Sequence, residues 1–99
     1  NTTTYSSAID YFTIDIQGNS RSFGDLTQAR WELGGASDST RAVAGGGLIT
    51  GTVWVNTMDY VTIATAGNAT DFGDLTYARR SMSGCSNDTR GIFSGGRLS

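Results

Sequence analysis

The chain has 99 residues, enough for one small domain, and contains 14 glycines but no proline and no histidine. Its formal net charge is −2, so we expect no nucleic-acid partner, because phosphate binding needs a concentrated positive surface. The apolar runs are too short for a membrane-spanning helix, so we expect no membrane insertion. Histidine and lysine are absent and Cys85 is the single cysteine, so we expect no enzyme activity, no cofactor and no metal.

An internal repeat organises the chain. Shifted by 49 residues, the sequence matches itself without a gap from Asp10 onward, and the run Phe23–Thr27 recurs unchanged as Phe72–Thr76. The first repeat is 1–49 and the second is 50–99. A period near 50 residues is typical of architectures in which neighbouring units cover each other's apolar faces. We therefore predict a single structural unit that other copies, or further repeats, complete.

The repeat is predicted to consist of strands. Tyr11–Ile16 alternates at period two and is rich in β-branched and aromatic residues, and the turn at Gln17–Asn19 follows it, because glycine and asparagine tolerate positive φ. Further strands are predicted around Ser22–Leu26, Ala29–Ala36, Thr40–Ala44, Val61–Ile63, Asp71–Leu75, Ala78–Cys85 and Thr89–Ser94, with a second turn at Ala66–Asn68. No segment keeps a helical period for more than about two turns, so the predicted class is all-β.

Four short strands per repeat are the composition of one β-propeller blade. The pattern of AR, a strand, TRG-I-F-SGG and a strand that begins with DY resembles a degenerate kelch repeat. In that family a glycine pair ends the second strand and an aromatic residue follows on the third. These positions are filled here by Gly45–Gly47 and Gly95–Gly96, and by Tyr11 and Tyr60. Phenylalanine stands where the family has a fourth-strand tryptophan.

A second resemblance covers both repeats. The segment GNATDFGDLT-x-AR, which ends at Arg79, resembles tandem repeats in structural proteins of marine cyanobacterial phages. This resemblance implies a virion or extracellular location and a structural role. It implies no particular chemistry.

The order of the predicted strands suggests how blades close. The chain opens with the third and fourth strands of one blade (Ile9–Leu26) and ends with the first and second strands of another (Ala78–Gly96). Joining these halves between copies pairs every open edge, which is how propellers avoid edge-to-edge association. Chains of two blades can make only rings with an even number of blades, and kelch-like rings commonly have six or seven. We therefore expect a homo-oligomeric propeller of six blades from three chains, with a tetramer as the alternative. The other interpretation is a segment of a longer repeat protein.

Polar residues that recur in both repeats are interpreted as a structural network. A catalytic site is seldom duplicated in every blade, whereas a hydrogen-bond network is. Arginine suits such a network because its planar fork bonds a carboxylate and backbone carbonyls together. The spacing puts an ion pair between Asp25 and Arg30, or between Asp74 and Arg79, within reach. The network comprises Asp25, Arg30, Arg41, Asp74, Arg79 and Arg90.

Aromatic and charged residues that differ between the repeats are candidates for ligand binding. Trp31 aligns with Arg80, Tyr77 aligns with Gln28, and Trp54 lies near a predicted strand end. Aromatic rings beside polar groups are typical of carbohydrate-binding surfaces. The candidates are Trp31, Trp54, Tyr77 and Arg80, and the alternative is that both tryptophans fill space between blades.

Three other features are interpreted as surface or packing residues. Glu32 occurs only in the first repeat and is expected to be an exposed surface residue. Asp38 and Asp88 lack the alternating ligand pattern of a calcium loop. Cys85 replaces Ala36 of the first repeat and is predicted to be a buried small side chain.

Together these observations predict a non-enzymatic structural or adhesive propeller module of a phage virion or tail-fibre protein. Its loops would present a surface to a host glycan or to another virion protein. The alternatives are a small oligomeric lectin and an engineered or excised fragment of a longer propeller.

Overall fold

The computed structural model describes residues 5–49 and 53–98. This part of the chain forms antiparallel strands and turns and contains no helix, so it has no apolar helix of the length that crosses a membrane. The all-β prediction is confirmed. The strands are β1 (Ala8–Tyr11), β2 (Arg21–Asp25), β3 (Gly34–Ser37), β4 (Arg41–Gly45), β5 (Thr57–Thr62), β6 (Thr70–Asp74), β7 (Arg79–Arg80), β8 (Ser83–Ser86), β9 (Gly91–Ser94) and β10 (Arg97–Leu98).

A four-stranded antiparallel sheet with the order β3-β4-β5-β6 occupies the middle of the chain. A two-stranded sheet of β1 and β2 precedes it, and another of β8 and β9 follows it. Strands β7 and β10 form a third short pair. The folded chain is a flat body of 41 × 40 × 21 Å.

The two flanking sheets repeat the two halves of the central sheet. Strands β1 and β2 pair with the register of β5 and β6, and the pairing shifts at Ile9/Asp10 as it does at Met58/Asp59. Strands β8 and β9 pair with the register of β3 and β4, since Ser83 faces Ser94 as Gly34 faces Gly45. The sequence repeat is therefore also a repeat of strand pairing.

The first predicted strand lies further along the chain than the observed one. Strand β1 ends at Tyr11, and Ile14 and Ile16 lie in an exposed turn in which the Ile16 N–H donates to the Thr13 carbonyl at 3.1 Å. The matching strand β5 continues to Thr62, because β4 pairs with its second edge there. In the described part of the chain β1 has β2 as its only neighbour, so nothing extends it.

The strands predicted over Ala29–Ala36 and Ala78–Cys85 are each interrupted. Glu32 and Ser81 have φ of 56° and 55°, in the left-handed region that breaks a ladder. These residues are repeat equivalents, so the kink belongs to the repeat. It separates a short inner segment (29–31 in the first repeat and 78–80 in the second) from the strand that begins at Gly34 or Ser83.

Apolar packing is concentrated where the sheets meet. Leu48 and Met82 are the buried apolar side chains of the described residues, and a Cβ on Gly34 would lie 3.1 Å from the Phe93 ring. Cys85 is exposed, which corrects the prediction that it is buried. Its equivalent Ala36 is half-buried because the next sheet packs against it, whereas Cys85 lies on the last sheet of the chain.

Candidate functional site

The most buried polar group is an ion pair between the inner segment and β5. The Arg30 Nη2 lies 3.1 Å from Asp59 Oδ2, and both side chains have 0% exposure. The Arg30 Nη1 donates to the carbonyls of Gly46 (3.2 Å) and Thr57 (2.8 Å), and Nη2 donates to that of Ala44 (3.3 Å). This single side chain therefore ties the inner segment to β4 and β5 at once.

Asp59 is held from a second direction. The backbone N–H and the hydroxyl of Thr27 donate to Asp59 Oδ2 at 2.9 and 2.6 Å, which links the end of the first sheet to the central one. Burial lowers the pKa of the Arg30 guanidinium, and the Asp59 carboxylate partly opposes this effect. The two side chains form a structural clamp, and neither of them is exposed to solvent.

The clamp uses a carboxylate that the sequence analysis did not select. Asp25 lies elsewhere: its backbone N–H donates to Asn68 Oδ1 at 3.0 Å, and the Ala69 N–H donates to its carbonyl at 2.7 Å. Asp74 ends β6, opposite Thr57. The sequence did contain a signal for Asp59, since the pair Asp-Tyr occurs in both repeats, as Asp10-Tyr11 and Asp59-Tyr60.

Arg79, the repeat equivalent of Arg30, is engaged less completely. Its Nη2 donates to the Phe93 carbonyl at 3.1 Å, which matches the bond from Arg30 to Ala44. Within the described residues Arg79 has no carboxylate partner. A cleft of about 490 Å³ lies beside it, lined in part by Thr76 and Phe93.

Arg41 and Arg90 follow two matching turns. The Asp38 Oδ1 accepts hydrogen bonds from the Thr40 N–H, the Thr40 hydroxyl and the Arg41 N–H at 2.8, 3.0 and 2.8 Å. Asn87 Oδ1 makes the same three contacts in the second repeat. These bonds, led by the one from the Arg41 N–H, lower the pKa of Asp38. The Arg41 guanidinium lies 4.5 Å from the centre of the Tyr60 ring.

The Asp38→Asn variant is expected to lose part of the acid sensitivity of the fold. A carboxylate with a lowered folded pKa stabilises the fold above its unfolded pKa, near 3.8, and this stabilisation disappears as the pH falls through the folded pKa. Thermal unfolding between pH 6 and pH 2 measures it. The reciprocal Asn87→Asp variant is expected to show a larger drop in Tm in acid. Equal acid profiles for the three proteins would contradict this role of Asp38.

Three of the four candidate binding residues, Trp31, Trp54 and Arg80, take part in two repeat-equivalent ring contacts. Tyr5 stacks on Trp31 with ring centres 5.6 Å apart. At the equivalent positions, the Arg80 guanidinium lies 5.1 Å from the centre of the Trp54 ring, and Arg97 lies 5.9 Å from it. We call these five residues the aromatic–arginine cluster.

Backbone contacts bring the two halves of the cluster together. Trp31 and Trp54 each form a β-bridge with Leu48, so their backbones flank the same residue. Glu32 is half-buried and pairs with Arg80 at 3.0 Å, and the Ser81 hydroxyl donates to it. Glu32 is therefore not the isolated exposed residue that the sequence suggested. Sequence reasoning missed both Glu32 and Arg97 as members of this region.

Tyr77 lies apart in the chain, on the exposed segment between β6 and β7, with 62% exposure. Trp31 is 38% exposed, while Trp54 is half-buried beneath the two arginines. The described residues contain no group of three or more acidic or cysteine side chains that would hold a metal ion. The side chains of the cluster offer aromatic rings for stacking and guanidinium groups for hydrogen bonding.

Comparison with protein-family models and with curated proteins found no match to this chain.

Proposed function

We propose that the chain is a non-enzymatic structural and adhesive module whose copies assemble into a kelch-like β-propeller of six blades from three chains. In this proposal the module belongs to a phage virion or tail-fibre type protein and presents the aromatic–arginine cluster to a host-surface glycan or to another virion protein. The observation that carries the proposal is that recurring and differing residues have different positions in the structure. The recurring polar residues hold strands together, while the residues that differ between repeats form the accessible cluster.

The buried clamp supports the structural half of the proposal. The Nη1 and Nη2 groups of Arg30 bond to three carbonyls and one carboxylate, and the side chain has 0% exposure. A substrate in solution therefore cannot contact it. A buried ion pair of this kind is stable only while both partners remain. The clamp therefore fits a role in joining strands better than a role as an acid–base pair.

The cluster supports the adhesive half. Sugar rings bind proteins by placing their apolar C–H faces on aromatic side chains while hydroxyls bond to charged groups nearby. Trp31 offers a partly exposed ring, and Glu32 and Arg80 offer an acceptor and a donor beside it. This combination fits a neutral or acidic glycan.

The Trp31→Ala variant tests the cluster in a glycan-array experiment on the intact chain. We expect the intact chain to bind at least one glycan class. The substitution is expected to lower the affinity about tenfold or more, because aromatic side chains that the ligand buries dominate such sites. The melting temperature is expected to change little, since the ring is partly exposed. Ile14→Ala is the control, because Ile14 is 88% exposed in a distant turn.

Two outcomes would overturn the adhesive half: no glycan bound by the intact chain, or equal loss in the Trp31→Ala and Ile14→Ala proteins. Light scattering tests the assembly half. A solution mass near three times the 10.4 kDa chain mass is expected, and a mass of one chain at micromolar concentration would overturn the ring.

A further inference from the structure

We infer that the two flanking sheets are complementary halves of one four-stranded sheet, completed when β9 of one copy pairs antiparallel with β1 of a second copy. In this arrangement Asp10 of the second copy enters the cleft beside Arg79. The inference rests on the multi-copy assembly in the proposed function, and it names the partner, the two strands and their register.

The central sheet is the template for this pairing. In it, β4 and β5 pair in the register Val43↔Tyr60 and Ala44↔Asp59. The flanking sheets reproduce its outer halves, as the shared bulge in β1 and β5 shows. What the flanking sheets lack, within the described residues, is the middle pairing. Applying the 49-residue shift places Ile92 opposite Tyr11, and Phe93 opposite Asp10, of the second copy.

The unfilled side of Arg79 fits this register. Arg30 meets Asp59, and Asp59 also accepts two hydrogen bonds from Thr27. The equivalents of these three residues are Arg79, Asp10 and Thr76. Thr76 and Arg79 line the same open cleft. Asp10 is exposed on β1 and accepts a bond from the Ser20 hydroxyl at 3.3 Å, so its carboxylate is accessible to a second copy.

The contacts between neighbouring sheets repeat in the same way. Asn68 of the central sheet bonds to the backbone of Asp25 at the end of the first sheet. The equivalent of Asn68 is Asn19, which lies in an exposed connection, and the equivalent of Asp25 is Asp74 at the end of β6. The assembly therefore places Asn19 of the second copy against the backbone of Asp74.

These features select a second copy as the occupant. Among the described residues, β9 and β1 each have one open edge. The two edges are complementary and not identical, so the contact is head-to-tail. The β4–β5 pairing, the Arg30–Asp59 ion pair and the bond from the Asp25 N–H to Asn68 show each of its three elements once within the chain. An unrelated partner would have to reproduce all three.

Disulfide trapping between two variant chains tests the register. Both carry Cys85→Ala, the residue found at the equivalent position 36, because Cys85 is an exposed thiol. One carries Ile92→Cys and the other Tyr11→Cys. Directly opposed residues of antiparallel strands are close enough for a disulfide. After joint refolding and mild oxidation, we expect a reducible species of twice the 10.4 kDa chain mass.

The matched control replaces Tyr11→Cys with Phe12→Cys, whose side chain points to the opposite face of the strand. It is expected to cross-link at least fivefold less. Adding Asp10→Ala to the Tyr11→Cys chain is expected to reduce the cross-link severalfold, because Arg79 then loses its carboxylate. Equal yields from the two cysteine positions, or no cross-link in either pair, would overturn the inferred register.

The outcome is separable from the proposed function. A trimer mass without the register-specific cross-link would retain the assembly and reject this interface. A specific cross-link without glycan binding would retain the interface and reject the adhesive role.

Discussion

The Asp59→Asn variant is expected to lose about 3–5 kcal/mol of the free energy of unfolding, because it breaks a buried ion pair. Asparagine keeps an acceptor for Thr27 but removes the negative charge beside Arg30. The guanidinium, which has 0% exposure, is then left buried without its counter-charge. Since small domains have total stabilities of about 5–15 kcal/mol, the variant is expected to be largely unfolded at modest urea concentrations.

Urea unfolding followed by tryptophan fluorescence measures this loss. Asp15→Asn is the control, because Asp15 is an exposed acid in the turn after β1, and its substitution is expected to change the stability by less than about 0.5 kcal/mol. Similar midpoints for the two variants would show that the clamp contributes little to folding.

The Gly46→Ala variant is the second large effect, with an expected loss of about 3 kcal/mol or more. Gly46 has φ of +71°, and a Cβ there would lie 2.0 Å from Met82 Cε and 2.6 Å from the Arg79 carbonyl oxygen. The side chain of Met82 is flexible, but the carbonyl belongs to the backbone of the adjoining inner segment. The sheets would therefore have to separate to admit a methyl group.

Gly95 is the repeat equivalent of Gly46 and serves as a matched control. Its φ is +70°, but no atom of the described chain lies within 4 Å of a Cβ at this position. The Gly95→Ala variant is therefore expected to lose only the conformational term, about 1–2 kcal/mol, in dilute solution where single chains unfold. Equal losses at the two positions under those conditions would show that the backbone angle and not the packing between sheets sets the penalty.

Local sequence was sufficient to predict the positions of β2 and β6. Strands β2 and β6 were predicted within one residue at each end, because a clear turn precedes each of them at 17–19 and 66–68. The three-bond turns at Asp38 and Asn87 depend on contacts within four residues, so sequence predicts them too. The strand that runs past Tyr11 was misplaced, because its length depends on whether a second strand pairs with it.

The aromatic–arginine cluster could be predicted only in part. Trp31, Trp54 and Arg80 were selected because they differ between repeats, and the structure brings them to one region around Leu48. Glu32 and Arg97 were not selected, because an ion pair and a cation–π contact with residues far apart in sequence place them there. No local pattern signals such contacts.

By itself, the sequence determined the all-β class, the 49-residue repeat and the positions of β2 and β6, because these follow from local alternation, turn residues and self-similarity. Only the tertiary structure decided that Arg30 pairs with Asp59, 29 positions away, and not with the nearer Asp25. The spacing in the sequence suggested Asp25 as the partner of Arg30, but the actual partner depends on which strand lies beside the inner segment. Strand order is a property of the whole fold, and a linear pattern does not contain it.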